Sequence, residues 1–257
     1  MNNIINSIKK EFTTTTLVLI PVAIAINIAI GELVVRLNLP VYLDSIGTIL
    51  VGVLAGPWAG LVTGALANII WGLIRPSSAP FFYVAAVIGL MAGLAGRWGA
   101  FNRESPRWLS VLIGAVFFFS LAMFILAFIN LQVVDGFPVF PSMAGLLRQY
   151  ALVFIAALII GGAIGYFLLQ NGAYAGSAGL ITGVVAAIIS APTVAIVFGG
   201  VTGSGTDLLV AAFRASGANI LASALAQGAV SDPFDKMLSF MVVWIILRSL
   251  PARFKAR

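Results

Sequence analysis

Residues 43–68 read LDSIGTILVGVLAGPWAGLVTGALAN, and this stretch decides the fold. It begins with an acid, stays apolar for longer than one membrane span requires, and is interrupted in the middle by Gly56-Pro57. Proline is tolerated in the first turn of a helix, whereas in the middle of a helix it removes a backbone hydrogen bond. The stretch therefore predicts two short helices joined by a turn at Gly56-Pro57.

Glycine recurs at every fourth position here, at Gly52, Gly56, Gly60 and Gly64. Small residues at this spacing let helix backbones approach closely in a membrane, where no hydrophobic force drives helices together. We expect tight helix packing at these positions and at the other small-residue groups, which are Ala85, Gly89 and Gly93, and Gly161 and Gly165.

The composition indicates an integral membrane protein. Charged residues make up 9% of the 257 residues and hydrophobic residues 61%, with a mean hydropathy of +1.11. A soluble domain of this size could not cover its surface with so few charges. We expect one integral membrane domain, residues 1–257, folded as an all-α helical bundle in the cell membrane. The net charge of +6 then reflects Lys and Arg on cytoplasmic loops, and no nucleic-acid partner is expected.

Charge distribution predicts about eight spans with both termini in the cytoplasm. Basic residues cluster at Lys9-Lys10, at 97–107 and at 248–257, and such clusters mark the cytoplasmic side. They share one side only if residues 44–74 cross twice and the weaker apolar run 206–228 is an external loop or short helix. The predicted spans are 13–35, 44–56, 57–74, 80–97, 109–131, 146–169, 173–200 and 233–250, and the predicted external segments are 37–44, 75–80, 132–145 and 201–232.

Catalytic and metal-binding patterns are missing from the sequence. The chain has no Cys and no His, which removes thiolate chemistry, the usual general base and the commonest metal ligand. It has no G-x-x-x-x-G-K-[ST] motif, so we expect no P-loop nucleotide site. We predict a binding protein rather than an enzyme, without a cofactor.

Two local patterns each leave two interpretations open. The glycine-rich segment 199–207, GGVTGSGTD, is either a backbone anion site or a flexible connection that ends with Thr206 or Asp207 capping the next helix. Asp232 and Asp235 flank Pro233, which favours the start of the last helix. Together with Lys236 they could instead present both charges to a small zwitterionic ligand.

Polar residues within apolar segments are costly, and they mark candidate sites. Several of them fall near the predicted external half of the bundle, as expected for an outward-open pocket for a polar small molecule. Each could equally be an interfacial anchor or an interhelical hydrogen bond. The candidate substrate-binding residues are Asn68, Trp71, Arg75, Tyr83, Arg214, Asn219 and Lys236.

Residues 39–73 resemble the substrate-binding S components of energy-coupling factor (ECF) transporters. The resemblance rests on a Pro-containing loop, an acid that opens a short helix, a G-P-W turn and an Asn that ends the third helix. The last helix is similar too. The matching residues are Leu39-Pro40-Val41-Tyr42, Leu43-Asp44-Ser45, Gly56-Pro57-Trp58-Ala59-Gly60, Asn68, Asp232-Pro233-Phe234-Asp235-Lys236 and Leu247-Arg248-Ser249-Leu250-Pro251.

The resemblance implies high-affinity capture of a vitamin or related micronutrient outside the cell. It implies release inside when the protein topples on docking with its partners, a transmembrane coupling subunit and two ABC ATPases. Ala25 and Ala29 match the small-residue surface of the first helix on which that family docks the coupling subunit; the alternative is that they only pack the first helix inside the bundle.

The chain departs from the family in two respects. Members usually have six spans, so an extra pair is expected between residues 109 and 200, and no pattern for a particular vitamin is visible. A membrane sensor and a stand-alone secondary carrier remain alternatives. Carriers usually have inverted repeats with broken helices in both halves, and the break at Gly56-Pro57 has no obvious counterpart.

Overall fold

The structure is a computed structural model and describes residues 8–134, 137–139, 141 and 143–250. Some residues used in the sequence predictions lie outside the described residues: Asp135, Pro251, Arg253, Lys255 and Arg257.

The described part of the chain is almost entirely helical, which confirms the all-α prediction. Its helices are α1 Thr14–Arg36, α2 Ile46–Ala55, α3 Pro57–Trp71, α4 Phe82–Trp98, α5 Arg107–Ile129, α6 Met143–Gln149, α7 Ala151–Leu168, α8 Ala173–Pro192, α9 Asp207–Ala215 and α10 Ile220–Ser249. A 3₁₀ turn, Pro76–Phe81, precedes α4, and a π-helical turn, Thr193–Val197, continues α8. A small antiparallel hairpin, β1 Gln132–Val134 and β2 Phe137–Val139, was not predicted.

Among the described residues, five helical segments are long and apolar enough to cross a membrane. They are Thr14–Arg36, Pro76–Trp98, Arg107–Ile129, Ala151–Leu168 and Ala173–Val197. Helix α2 is apolar but has only 10 residues, and α10 is long but carries several charged residues. The membrane character predicted from composition is therefore confirmed.

The predicted break between two short helices is present at Gly56. Its φ of 126° lies in the left-handed region, which favours glycine, and a Cβ there would collide with the Glu11 carboxyl group. That carboxylate accepts hydrogen bonds from the backbone N–H groups of Trp58 (2.8 Å) and Ala59 (3.0 Å), and it forms an ion pair with Arg97. Glu11 thus satisfies the free N–H groups at the start of α3.

The predicted small-residue packing is confirmed at two helix pairs, α3 with α4 and α5 with α7, and the structure adds a third pair, α8 with α10, that was not predicted. A Cβ at Gly89 of α4 would collide with the Gly60 carbonyl of α3, and Gly64 lies against the Ala85 carbonyl in the same interface. In the other two pairs α5 packs on α7 and α8 on α10, through backbone contacts of Gly114, Gly161, Gly165, Gly179 and Gly183. At these positions one backbone lies directly on the next with no side chain between them.

Contacts sort the loops into two ends of the bundle. The Glu11–Arg97 pair and a hydrogen bond from Ser105 N to the Gln170 carbonyl (2.6 Å) bring the segment before α1 and the α4–α5 and α7–α8 loops to one end. At the other end the α1–α2 loop, the turn after α3 and the glycine-rich loop meet, because Arg75 donates a hydrogen bond to the Gly203 carbonyl and Gly205 packs on Leu39. Two of the three basic clusters predicted to share a side, Lys9-Lys10 and 97–107, therefore share an end, and most of the third, 248–257, lies outside the described residues.

The sequence placed the start of the last helix wrongly. Helix α10 begins at Ile220, where the Asn219 side chain accepts the Ala222 N–H (2.8 Å), so Asp232 and Asp235 lie inside a 30-residue helix. Buried polar residues recur at every fourth position of α10 on both sides of Pro233, so they share one face of the helix. They are Ser223, Gln227, Ser231, Asp235 and Ser239. The expected external element 206–228 is therefore divided between α9 and the first turns of α10.

We predict that Gly89→Ala destabilises the protein by ~1–3 kcal/mol, because the added methyl group forces α4 away from the α3 backbone. Gly162→Ala is the matched control, since a Cβ there meets one Val111 methyl group at 3.3 Å. Both variants gain about 1 kcal/mol of helix propensity. Thermal unfolding in detergent should show a lower melting temperature for Gly89→Ala alone. Equal melting temperatures for the two variants would contradict backbone contact between α3 and α4.

Candidate functional site

A cavity of about 110 Å³ lies at the end of the bundle where the α1–α2 loop, the turn after α3 and the glycine-rich loop meet. Its walls are largely apolar and come from α4, α8 and the π-helical turn that continues α8, with Val84, Ile88 and Val194 as examples. Its polar lining comes from the three loops and from α3 and α10. This volume is below the roughly 300–1,000 Å³ of ordinary ligand pockets.

Lys236 lies at the centre of a buried charged cluster beside the cavity. Its Nζ lies 2.6 Å from Asp235 Oδ2, 3.0 Å from Ser45 Oγ and 3.5 Å from Asp44 Oδ1. Asp235 Oδ1 also accepts hydrogen bonds from the backbone N–H groups of Tyr42 (3.0 Å) and Leu43 (2.8 Å). These bonds fasten α10 to the α1–α2 loop.

Tyr42 connects this cluster to the glycine-rich loop. Its hydroxyl lies 2.9 Å from Thr206 Oγ1 and accepts a hydrogen bond from Gln227 Nε2 (3.2 Å), and its ring lies 5.8 Å from Lys236 Nζ. Burial raises the pKa of the Tyr42 phenol above its ordinary value, and the nearby charge of Asp232 adds to the shift. The phenol therefore stays neutral and holds the loop as a hydrogen-bonding group.

The glycine-rich loop closes on the carboxylate of Asp207. Asp207 accepts hydrogen bonds from Thr202 N (3.1 Å), Thr202 Oγ1 (2.8 Å) and Gly203 N (2.7 Å). Two of the loop's N–H groups are thus used inside the protein, which disfavours the anion-site interpretation. Thr206 occupies the N-cap position of α9, but its side chain makes no capping hydrogen bond. Arg75 donates a hydrogen bond to the Gly203 carbonyl and so holds the loop over the cavity.

Four of the seven candidate residues line the cavity: Asn68, Trp71, Arg75 and Lys236. Trp71 donates its indole N–H to Glu32 Oε1 (2.8 Å), and Glu32 also pairs with Arg36, four residues later on α1, at 3.5 Å. Helix α3 ends at Trp71, so Arg75 comes from the following turn rather than from the helix face.

The other three candidates lie away from the cavity lining. The Tyr83 hydroxyl donates to the Ile189 carbonyl (2.9 Å) and lies 2.6 Å from Thr193 Oγ1, so it fixes α4 to α8. Asn219 is the N-cap of α10, and Arg214 is exposed in the last turn of α9. Both residues are exposed on either side of the turn between α9 and α10 and do not line the cavity.

Several lining residues were not among the predicted site residues. Asp44 was noted only as a helix-start acid, and Asp232 either as a helix-start acid or as part of a charged group for a zwitterionic ligand; both border the cavity. The polar four-residue repeat through Gln227 and Ser231 was a usable signal, since it continues across Pro233 on one face. Tyr42 and Thr206 carried no such signal, because only folding brings these distant loops together.

Ala25 and Ala29, the predicted partner surface, are both exposed on the outside of α1. The buried side of α1 is formed by other residues, including Ala23, Ile24 and Asn27. The alternative that the two alanines pack α1 inside the bundle is therefore wrong.

Comparison of the chain with protein-family models, with curated proteins and with solved structures finds no match. What the cavity binds must therefore be inferred from its own side chains.

We predict that Arg75→Ala loosens the glycine-rich loop, because it removes the hydrogen bond to the Gly203 carbonyl. With Ser204→Cys as a reporter in a chain without native cysteine, thiol labelling should become about three- to tenfold faster, equivalent to ~0.7–1.4 kcal/mol. Arg214→Ala is the control, since it removes the same charge from an exposed position outside the cavity. An unchanged labelling rate in Arg75→Ala would show that Arg75 does not hold the loop.

Proposed function

We propose that this chain is a membrane-embedded, high-affinity binding subunit for a vitamin or related micronutrient, and that it works as the S component of an ECF-type transporter. The observation that carries the proposal is the cavity, enclosed at one end of an apolar bundle by three loops and lined by buried charged groups of α10 and the α1–α2 loop. Charged side chains inside a membrane bundle are costly unless they serve a ligand or an ion pair.

The residues that resemble S components also have structural roles around this cavity. Tyr42, Asp44 and Lys236 border it. The Gly56-Pro57 turn separates α2, which begins directly after Ser45, from α3, which carries Asn68. Under this proposal the protein binds its substrate without transforming it. A coupling subunit and two ATPases supply the energy, because the sequence lacks a P-loop.

The direct test combines ligand recovery with uptake. Mass spectrometry of compounds released from the detergent-purified protein should identify a small polar metabolite. The same metabolite should then enter proteoliposomes only when the coupling subunit and ATPases are present with ATP. Robust uptake by this chain alone would favour a secondary carrier and would end the S-component proposal.

We propose eight membrane crossings, by α1, α2, α3, α4, α5, α7, α8 and α10. The cavity opens to the outside of the cell, and both termini lie in the cytoplasm. The support is the shared end of the loops that contain Lys9-Lys10, Arg97 and Arg103, together with the rule that such loops are cytoplasmic.

We predict that an impermeant thiol reagent added to intact cells labels Ser216→Cys but not Asn102→Cys. Both positions are exposed, one on the α9–α10 turn and the other on the α4–α5 loop. Permeabilised cells provide the control, because both variants should then react. Labelling of Asn102→Cys in intact cells would reverse or disprove the topology.

The exposed pair Ala25 and Ala29 supports a docking role for α1. Tryptophan at both positions should abolish ATP-dependent uptake and leave ligand affinity within about twofold, because the cavity is built from other elements. Ile155→Trp with Ile159→Trp is the matched control, since these exposed residues are also one turn apart, on α7. Loss of uptake in both double variants, or loss of ligand binding in the alanine pair, would contradict the assignment.

A further inference from the structure

We propose that the cavity selects a ligand with a positively charged, N–H-donating group, for which Asp232 is the counter-ion and Asn68 a second polar contact. This inference rests on the proposed binding function and adds the chemical class of the substrate. It starts from the cluster beside the cavity, where three carboxyl groups, those of Asp44, Asp232 and Asp235, are accompanied by the single ammonium group of Lys236.

The ammonium group of Lys236 has no capacity left for a third acid. It has three N–H donors, and they face Asp235 Oδ2 (2.6 Å), Ser45 Oγ (3.0 Å) and Asp44 Oδ1 (3.5 Å). Asp235 is likewise satisfied, because it also accepts two backbone N–H groups of the α1–α2 loop. Lys236 therefore forms ion pairs with Asp235 and Asp44, and none with Asp232.

Asp232 is consequently the acid of the cluster that lacks an ion-pair partner within 4 Å among the described residues. Its residue is only 5% exposed, and it borders the cavity. One oxygen accepts a hydrogen bond from Ser231 Oγ (2.9 Å), and within the described part of the chain the other oxygen has no hydrogen-bond donor. Arg75, the other cation of the lining, is held at the mouth by the Gly203 carbonyl. A buried carboxylate with one neutral donor is costly, and a ligand cation would offset that cost.

Asn68 provides a second, independent indication. It is 6% exposed and lines the same cavity, yet its side-chain amide makes no hydrogen bond to any described residue. The other deeply buried asparagine behaves differently: Asn27 donates to Thr48 Oγ1 (2.8 Å) and accepts from Gly47 N (2.7 Å). Buried amides are normally satisfied in this way, so the unpaired amide of Asn68 is available to a ligand.

The remaining lining points to an organic cation rather than a metal ion. Within the described residues no three Asp or Glu side chains lie close enough together to hold a metal ion. The walls next to these polar groups are apolar and aromatic, with Trp71, Phe81 and Ile88 among them. A flat apolar body with an amine, amidine or amino-heterocyclic head fits both features.

Benzamidine, benzamide and benzoate provide a matched probe series. They share a phenyl ring and a planar head group, and their charges at neutral pH are positive, zero and negative. Titration calorimetry with the purified protein should rank benzamidine above benzamide and benzamide above benzoate. Equal affinities, or a preference for benzoate, would overturn the proposal.

Two variants assign the selectivity to the named residues. Asp232→Asn keeps the side-chain size and should weaken benzamidine binding roughly tenfold to a hundredfold, while benzamide binding changes by less than about twofold. Asn68→Asp adds a carboxylate to the same cavity and should strengthen benzamidine binding, which keeps the test valid if Asp232→Asn fails to fold. Glu104→Gln makes the same charge change at an exposed position outside the cavity and should change nothing.

The outcomes separate this inference from the proposed function. Unchanged benzamidine affinity in both cavity variants would overturn the assignment of Asp232 and Asn68. A co-purified ligand that is neutral or anionic at neutral pH would overturn the charge selectivity alone and leave the binding function standing. If no probe binds and no small molecule co-purifies, the proposed function itself fails, and this inference with it.

Discussion

The fully buried carboxylate of Asp235 organises the end of the bundle that contains the cavity. It bonds simultaneously to the Lys236 ammonium and to the backbone of Tyr42 and Leu43, so it connects the last long helix to a loop nearly two hundred residues earlier in the chain. Leu43 has a φ of 51°, in the left-handed region that costs a non-glycine residue about 1–2 kcal/mol. The hydrogen bond from the Leu43 N–H helps to hold that strained turn, which in turn sets the direction in which Asp44 and Ser45 enter the cluster.

The helices around the cavity are held in a different way from the loops above it. Helix α4 lies on α3, and α10 on α8, through backbone-to-backbone contacts at glycine, so these pairs have little freedom to shift. The glycine-rich loop is held mainly by hydrogen bonds of individual side chains, those of Arg75, Tyr42 and Asp207, with a backbone contact of Gly205 on Leu39. Movement that admits a ligand is therefore expected in the loops, while the helical walls keep their spacing.

The sequence predicted the helical bundle and two of its three glycine-mediated helix contacts, because those features depend on local chemistry. The break at Gly56-Pro57 and the small residues of α3 and α4 are visible as spacing alone. The start of α10 was misjudged because Asp232 and Pro233 have strong preferences for helix starts, and the tertiary contacts of a polar face outweigh them. Of the candidate site, the residues on α3 were found, whereas Tyr42 and Thr206 depend on loop contacts that no local pattern encodes.

The shortness of α2 has a consequence for the depth of the site. Ten residues at about 1.5 Å each give about 15 Å, half of the roughly 30 Å hydrocarbon thickness of a bilayer. Under the proposed topology, with the Gly56 end of α2 at the cytoplasmic surface, the helical part of this crossing ends near the bilayer midplane at Ser45, and the α1–α2 loop completes it. The distance along α10 agrees, since the 13 residue steps from Lys236 to Ser249 span about 20 Å. In the proposed transport function, a molecule that reaches Ser45 has already passed through about half of the permeability barrier, so only the remaining half has to be opened to deliver it.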